Sequence, residues 1–367
     1  MRIGIPREIK NNEKRVAIIP SMVEELVSNG NEVCVETKAG EQSGFNDIEF
    51  ESAGAEIIKD TKKVWDCEMV MKVKEPLPEE YQYFRENLIL FTYLHLAAEP
   101  SLTDELQKNK VTAIAYETLA LKDGSLPLLT PMSEIAGRMS VQIGARFLEG
   151  TFDGKGVLLG GIPGVAPATV TIIGGGVVGV NAAKIAIGLG AHVKILDVSA
   201  KRLREIDDQF NGRVETLMSN PQNVSNAVAS ADLLIGAVLI AGAKAPQIVK
   251  ESMVKAMKAN SVIVDVAVDQ GGCIETIDKI TTHENPVYLK HEVVHYAVAN
   301  IPGSVSRTAT LALTNATAIY ANSLATLGIE KALIKHPELQ SAINIHDGNI
   351  IHPAIAEAHK KEFVSFS

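Results

Sequence analysis

The stretch "IIGGGVVGVNAA", residues 172–183, decides the fold. Its glycines Gly174, Gly176 and Gly179 have the spacing of a dinucleotide-binding turn. A lone pattern of this kind is a weak signal; its context makes it a strong one. The apolar run "ATVTII" before it reads as a strand, and "GVNAAKIAIGLG" after it as a helix closing on Gly190. The first glycine permits a tight turn, the second lets the backbone approach a pyrophosphate, and the third lets helix and strand pack closely. The helix N-terminus adds unpaired N–H donors and a partial positive charge. The next strand, "HVKILD", ends in Asp197, 23 residues after Gly174. A carboxylate there accepts hydrogen bonds from ribose hydroxyls and repels a 2′-phosphate, which favours NAD over NADP. Lys201 and Arg202 nearby argue the other way. The bland alternative is a glycine-rich packing turn that holds no ligand.

Working outward, "VETLMS", "ADLLIGAV", "SVIVDVAV" and "VVHYAVAN" supply four further strands, giving the six of a complete dinucleotide fold. About 170 residues precede the turn, and they repeat the alternation. "RIGIP", "NEVCVE", "WDCEMVMKV", "LILFTYLH" and "VTAIAYE" read as strands separated by helical segments, so a second mostly parallel sheet is expected. In "SMVEELVSNG", Ser21 is placed to cap a helix that ends at Gly30. In "LLTPMSEIAGRMSVQIGARFLEG", Thr130 is placed to cap a helix with Pro131 in its first turn, and Met132, Ile135, Met139, Ile143 and Phe147 follow at helical spacing. "SRTATLALTNATAIYANSLATLG" is a second long helix, rich in small residues and expected to be buried, and the last 40 residues read as mixed helix and loop. The fold class is therefore α/β with two Rossmann-like domains. The dinucleotide-binding domain, 130–305 with its linker helix, is inserted between the two parts of a substrate domain, 1–129 and 306–367, and two long helices join them. A ligand cleft is expected between the domains.

Composition narrows the function. The 367 residues are 46% hydrophobic and 22% charged, an ordinary globular balance. A net charge of −9 and the lack of like-charged blocks speak against a nucleic-acid partner. No long uncharged apolar run spans a membrane, and "MRIGIPREIK" lacks the apolar core of a signal peptide. Cys34, Cys67 and Cys273 are far apart in the chain and form no CxxC pair, so reduced thiols in a cytoplasmic protein are expected, with no zinc site and no disulfide framework.

By pattern alone, a few residues stand out as candidates for chemistry. His95 ends "LILFTYLH", although a single histidine is more often a core or surface residue than a catalyst. Lys74 in "MKVKEP" and Arg15 in "NNEKRVAIIP" follow or precede apolar runs, where plain solvent exposure is the simpler account. Asp269 follows the strand "VIVDVAV" and Asn300 follows "VVHYAVA". Open α/β sheets bind ligands beyond the carboxyl ends of their strands, which raises the standing of both.

Taken together, "GIPREIKNNEKRVAIIP", "KVKEP", "FTYLHLA", "PLLTPMSEIAGR", "GGIPGV", "IGGGVVG", "LIGAVLIAGAKAP", "VDVAVDQGGC" and "ALTNAT" resemble the alanine dehydrogenase family, which shares parts of this pattern with the nicotinamide nucleotide transhydrogenase α subunit. The resemblance runs from residue 1 to about 350. It implies NAD-dependent oxidative deamination of L-alanine to pyruvate and ammonium by a homohexamer; no metal is expected, because the imine is already an electrophile and the sequence shows no ligand cluster. It implies that Arg15 and Lys74 hold the substrate carboxylate, that Tyr93, Met132 and Asn300 line the pocket, and that His95 and Asp269 are the catalytic pair. For the cofactor it implies Ser133, Gly174, Gly176, Val178, Gly179, Asp197, Arg202, Ser219, Val238, Leu239, Val266 and Val298. A planar guanidinium and a lysine point charge suit a small carboxylate. A histidine, with an unperturbed pKa of about 6.5, suits proton transfer near neutrality. Asp269 would orient water or ammonia.

Three departures stand out. Ile19 stands where threonine or serine is common, Ile301 stands where methionine is frequent, and "CIETIDKITTHENP" lacks an arginine that some relatives use for the cofactor. Rival readings are a dehydrogenase for another small amino acid or an opine, a soluble transhydrogenase-like subunit, and a non-catalytic NAD sensor. The Arg15, Lys74, His95 and Asp269 set favours a self-contained enzyme.

Overall fold

The computed structural model describes residues 1–238, 245–268 and 271–366, and divides into two compact units, Met1–Met132 with Val305–Ser367, and Ser133–Ser304. In the first, the strands β1 (Arg2–Ile5), β2 (Glu32–Glu36), β3 (Glu56–Ile58), β4 (Met69–Met71), β5 (Ile89–Thr92) and β6 (Thr112–Ala115) pair in parallel in the order β3-β2-β1-β4-β5-β6. In the second, β7 (Thr169–Ile173), β8 (His192–Asp197), β9 (Val214–Met218), β10 (Leu233–Gly236), β11 (Val262–Asp265) and β13 (Val293–Tyr296) pair in parallel as β9-β8-β7-β10-β11-β13, and β12 (Val287–Lys290) adds an antiparallel edge beside β13. Both parallel sets are wound alike: the chain moves outward from the first strand, then returns to its other side. That is the Rossmann order, and its reversal point lies between β1 and β4 in one sheet and between β7 and β10 in the other.

The long apolar strands of the second sheet follow from burial on both faces. Val170, Ile172, Leu233, Ile235, Val262 and Val264 pack into one core layer, while the alternate residues Ile173, Leu234 and Ile263 pack into the opposite one. Helix Thr130–Phe147 lies against helix Val177–Gly188, and the approach is close: a Cβ on Gly137 would stand 2.2 Å from the Val178 carbonyl oxygen.

Two helix starts differ from expectation. The helix expected to begin after Ser21 begins at Pro20, with Ile19 at its N-cap and no side-chain cap. Thr130 is itself helical, and its hydroxyl donates to the Leu126 carbonyl at 2.9 Å instead of capping. A proline in the first turn sets the helical φ without a cap. The helix Ser306–Leu327 is amphipathic rather than fully buried: Leu313, Ala321 and Leu324 are inside, while Ile319 is exposed. The C-terminal part of the chain is also more ordered than expected. β14 (Ile343–His346) pairs antiparallel with β6, and β15 (Asn349–Ile350) returns on β14 through Asp347 and Gly348. Both turn residues have positive φ, 45° and 76°, as a two-residue hairpin loop requires.

Candidate active site

The first unit gathers its candidate side chains beyond the carboxyl ends of β1, β4 and β5, at and beside its reversal point. After β1 the chain loops through Glu13 to Arg15, whose side chain is 2% exposed. Glu13 accepts from Arg15 Nε at 2.7 Å and from Nη2 at 2.5 Å, and its Oε1 also accepts the Arg15 backbone N–H at 3.0 Å. Arg15 Nη1 lies 3.2 Å from Met132 Sδ. Burial alone would lower the Arg15 pKa, but the hydrogen bonds and charge of Glu13 raise it above the ordinary guanidinium value. A permanent, oriented cation results. The next residue is tied to the C-terminal segment, since the Val16 N–H donates to Thr310 Oγ1 at 3.2 Å.

After β4, Lys72 is buried between Glu80 at 2.7 Å and Glu8 at 3.3 Å. Glu8 also accepts the Val73 N–H at 2.6 Å and the Lys74 N–H at 3.4 Å, so the buried ion pair fixes the backbone that carries Lys74. The Lys74 carbonyl accepts from Thr92 at the end of β5, 3.1 Å away. Burial pushes the Glu75 carboxyl up, yet the charges of Lys74 and Lys10 outweigh it and hold Glu75 below the usual range.

Beyond β5, Tyr93 is buried and donates its hydroxyl to the Leu128 carbonyl at 2.6 Å; burial raises its pKa. The His95 ring stacks on Tyr93, with centroids 6.1 Å apart and planes 3° apart. His95 has φ 52°, an uncommon conformation for a residue with a side chain. Glu117, after β6, holds it there: its Oε1 accepts the His95 N–H at 2.6 Å, and its other oxygen takes the Leu94 N–H at 3.2 Å. Glu117 Oε1 is also 4.0 Å from His95 Nδ1, and the His95 side chain is 43% exposed. The structure thus brings Arg15 to Met132 and His95 to Tyr93. It also adds Glu8, Glu13, Lys72 and Glu117, which the sequence alone did not single out. The spacing of Glu13 two residues before Arg15 was the one available signal.

In the second unit the glycine turn has the geometry that its spacing implies. Gly174 has φ 104°, and a Cβ on Gly179 would stand 1.9 Å from the Gly174 carbonyl oxygen. A Cβ on Gly176, by contrast, would meet nothing within 4 Å: the helix N-terminus is open where a pyrophosphate would come. Asp197 closes β8, and its two oxygens accept the N–H groups of Gly175 and Ser199, each at 2.8 Å. Arg202 donates Nε to the Gly175 carbonyl at 2.7 Å and pairs with Glu205 at 2.8 Å, so it braces the turn. Ser219 binds its backbone N–H to the Asp197 carbonyl at 2.9 Å, and Val238 packs beside Gly174. These residues fit a dinucleotide.

Val178 and Val298 are buried, while Ser133 and Val266 are half-buried. Asn300, φ 56°, opens the 3-10 turn Ile301–Val305. Leu239 and Asp269 lie outside the described residues. Leading toward Asp269 is a buried acid, Asp265, at the end of β11; it accepts the N–H groups of Ala267 and Cys273, each at 2.9 Å. Burial pushes its pKa up to about 6 against those hydrogen bonds. Among the described residues, no three His, Cys, Asp or Glu side chains are grouped to hold a metal.

Comparison with known proteins bears on the whole chain. The family model described as "Alanine dehydrogenase/PNT, N-terminal domain" matches residues 4–136, and "Alanine dehydrogenase/PNT, C-terminal domain" matches residues 140–353. An alanine dehydrogenase of Bacillus subtilis (strain 168) is 61% identical over 364 residues, covering 99% of this chain and 96% of the relative. Alanine dehydrogenase 2 of Staphylococcus aureus (strain USA300) is 59% identical, covering 100% and 98%. A solved L-alanine dehydrogenase superposes with a TM-score of 0.95 at 52% identity, covering 98% of this chain and 99% of that one. A transhydrogenase from Sinorhizobium meliloti shares the fold, with a TM-score of 0.80 at 24% identity, covering 96% and 100%.

Proposed function

The chain belongs to the alanine dehydrogenase/PNT family, and on that premise we propose that it catalyses the reversible, NAD-dependent oxidative deamination of L-alanine to pyruvate and ammonium. The observation that carries this reading is a buried, permanently charged Arg15 in a chain that also presents an open glycine turn backed by Asp197.

Arg15 and Lys74 hold the substrate carboxylate, the first as a fixed plane and the second as a point charge. Tyr93, Met132 and Asn300 shape the pocket. The glycine turn, Val178, Ser133, Arg202, Ser219, Val238, Leu239, Val266 and Val298 hold the cofactor, and Asp197 reads its adenosine ribose. NAD, when bound, supplies a two-electron acceptor for the hydride on Cα. Oxidation of the amine to iminopyruvate and the addition of water both need protons moved, and His95 moves them. Asp269 orients the water or ammonia and stabilises positive charge on nitrogen. Holding the reactants in place contributes much of the rate. We assign the active form to the cytoplasm and, as the family resemblance implies, to a homohexamer.

The test is absorbance at the NADH band, with purified protein, NAD and L-alanine at mildly alkaline pH, run beside D-alanine, glycine, serine and NADP. Reduction confined to L-alanine with NAD is expected. No reduction, with NADH still binding, moves the substrate to another small amine.

A further inference from the structure

Cys34 and Cys67 are 33 residues apart in sequence, yet they meet over one glycine. Cys34 lies on β2 directly opposite Gly4 of β1. Paired residues of neighbouring strands point to the same face, and the strands lie about 4.8 Å apart. On that face the end of helix Thr61–Trp65 and the turn after it sit on Gly4. A Cβ there would stand 2.0 Å from the Val64 carbonyl oxygen and 3.2 Å from Cys67 Cβ. Gly4 therefore leaves room for both sulfurs, and Cys34, Ile58, Val64 and Cys67 form a small cluster of their own. Cys34 is thus one strand spacing from Gly4, and Cys67 sits over the same glycine, the kind of proximity that a disulfide, with its Cβ atoms about 3.5–4.5 Å apart, requires.

The charges around the pair divide its roles. Arg2 donates Nη2 to Cys34 Sγ at 3.4 Å. Its own neighbours are Glu32 at 3.1 Å and Glu56 at 3.9 Å, and Glu56 lies 3.8 Å from Cys34 Sγ. Cys67 Sγ faces the Lys63 carbonyl at 3.8 Å, and its own carbonyl accepts from Arg85 at 2.7 Å. Hydrogen bonding from the Cys67 thiol, with the charge of Arg2 and against burial, brings the Cys34 thiol down to about 7; the same pairing and burial push Cys67 up. Both sulfurs are covered, but the Arg2 side chain that lies over Cys34 is 45% exposed.

We propose that Cys34 and Cys67 are a hydroperoxide-sensitive dithiol that closes to an intramolecular disulfide across Gly4. The Cys34 thiolate attacks one peroxide oxygen: an S–O bond forms, the O–O bond breaks, and the leaving hydroxide takes a proton to become water. The Cys67 sulfur then attacks Cys34: the S–S bond forms, the S–O bond breaks, and the departing hydroxide takes the Cys67 proton as a second water. Two thiols lose two electrons, and one peroxide gains them. The bond would join β2 to the turn before β4 across β1 and leave Cys273, in the other unit, untouched.

The test exposes the full-length native protein to hydrogen peroxide, quenches, alkylates in denaturant and maps peptides by mass. The expected result is loss of two thiols per chain, one cross-link between the Cys34 and Cys67 peptides, and Cys273 still alkylated. Arg2→Gln, with both cysteines in place, should slow the reaction at neutral pH at least threefold. Cys67→Ser should turn the cross-link into a sulfenic or further oxidised Cys34. Sulfonic acid on Cys34 beside a free Cys67, or both thiols alkylated after an exposure that oxidises the unfolded chain, would overturn the proposal.

Discussion

Glu13 grips Arg15 by two nitrogens, Nε at 2.7 Å and Nη2 at 2.5 Å, with neither side chain reached by solvent beyond a few per cent. The pair fixes the plane of the buried guanidinium beyond β1, and so, on the proposed reading, the direction from which the substrate carboxylate would meet it. Arg15→Lys keeps the charge and loses the fork. The KM for L-alanine and for pyruvate should rise at least tenfold, about 1.4 kcal/mol, while the Kd for NADH stays within twofold. Steady-state kinetics and NADH fluorescence titration check both.

The same pair has a cost when broken. Arg15→Met leaves Glu13 charged and buried without its main partner, and should lower stability by roughly 3–5 kcal/mol. Glu13→Gln combined with Arg15→Met removes that buried charge and should recover part of that loss. Denaturant midpoints of the two variants, compared in a double-mutant cycle, give the coupling.

His95 is assigned proton transfer, so His95→Ala should leave NADH affinity nearly intact and remove most turnover, a loss of about 100-fold or more. Glu117→Ala tests how His95 is held. The left-handed backbone at residue 95 loses its anchor, so kcat should fall with the ring still present. Full activity in His95→Ala would sink the assignment.

Asp197→Ala removes the carboxylate that closes β8 and accepts the Gly175 and Ser199 N–H groups. The ratio of kcat/KM for NAD over NADP should fall. An unchanged ratio would show that Asp197 braces the glycine turn without reading the ribose.

His295 carries a pH prediction. It is fully buried; its Nδ1 lies 2.8 Å from the Val293 carbonyl and must carry the hydrogen, so Nε2 accepts from Thr276 at 2.8 Å. Burial lowers its pKa to about 4. The unfolded chain binds this proton at about pH 6.5, so the stability held by neutral His295 is complete above that pH and is lost as pH falls toward 4. The amount is on the order of 3 kcal/mol. Asp265, pushed up to about 6 by burial, acts in the opposite sense over an overlapping range. The difference between wild-type and His295→Gln urea midpoints from pH 7 to pH 4.5 isolates the histidine and should narrow as pH falls.

Much of the fold was legible in the sequence because both sheets are buried on two faces, which turns each central strand into an apolar run. "LILFTYLH" and "SVIVDVAV" announce β5 and β11 for that reason. The short edges were not: β3 has three residues and β12 is only half-buried, so neither builds a strong pattern. The hairpin of β14 and β15 has one signal in the sequence, Asp347-Gly348 within "INIHDGNII", but strands this short are hard to tell from the helical segments around them. At the site, the positions of the glycines followed from spacing. The buried acids Glu8 and Glu117 did not, because a charged residue in a loop looks solvated until the groups that satisfy it are brought in from other strands; Glu13 left only its place two residues before Arg15.

The most direct measurement uses L-alanine carrying deuterium at Cα, incubated with the full-length protein and unlabelled NAD. The account predicts that the reduced nicotinamide carries the label, with pyruvate formed in equal amount. Reduced nicotinamide without deuterium, or pyruvate formed with no reduction at all, would contradict direct hydride transfer from alanine.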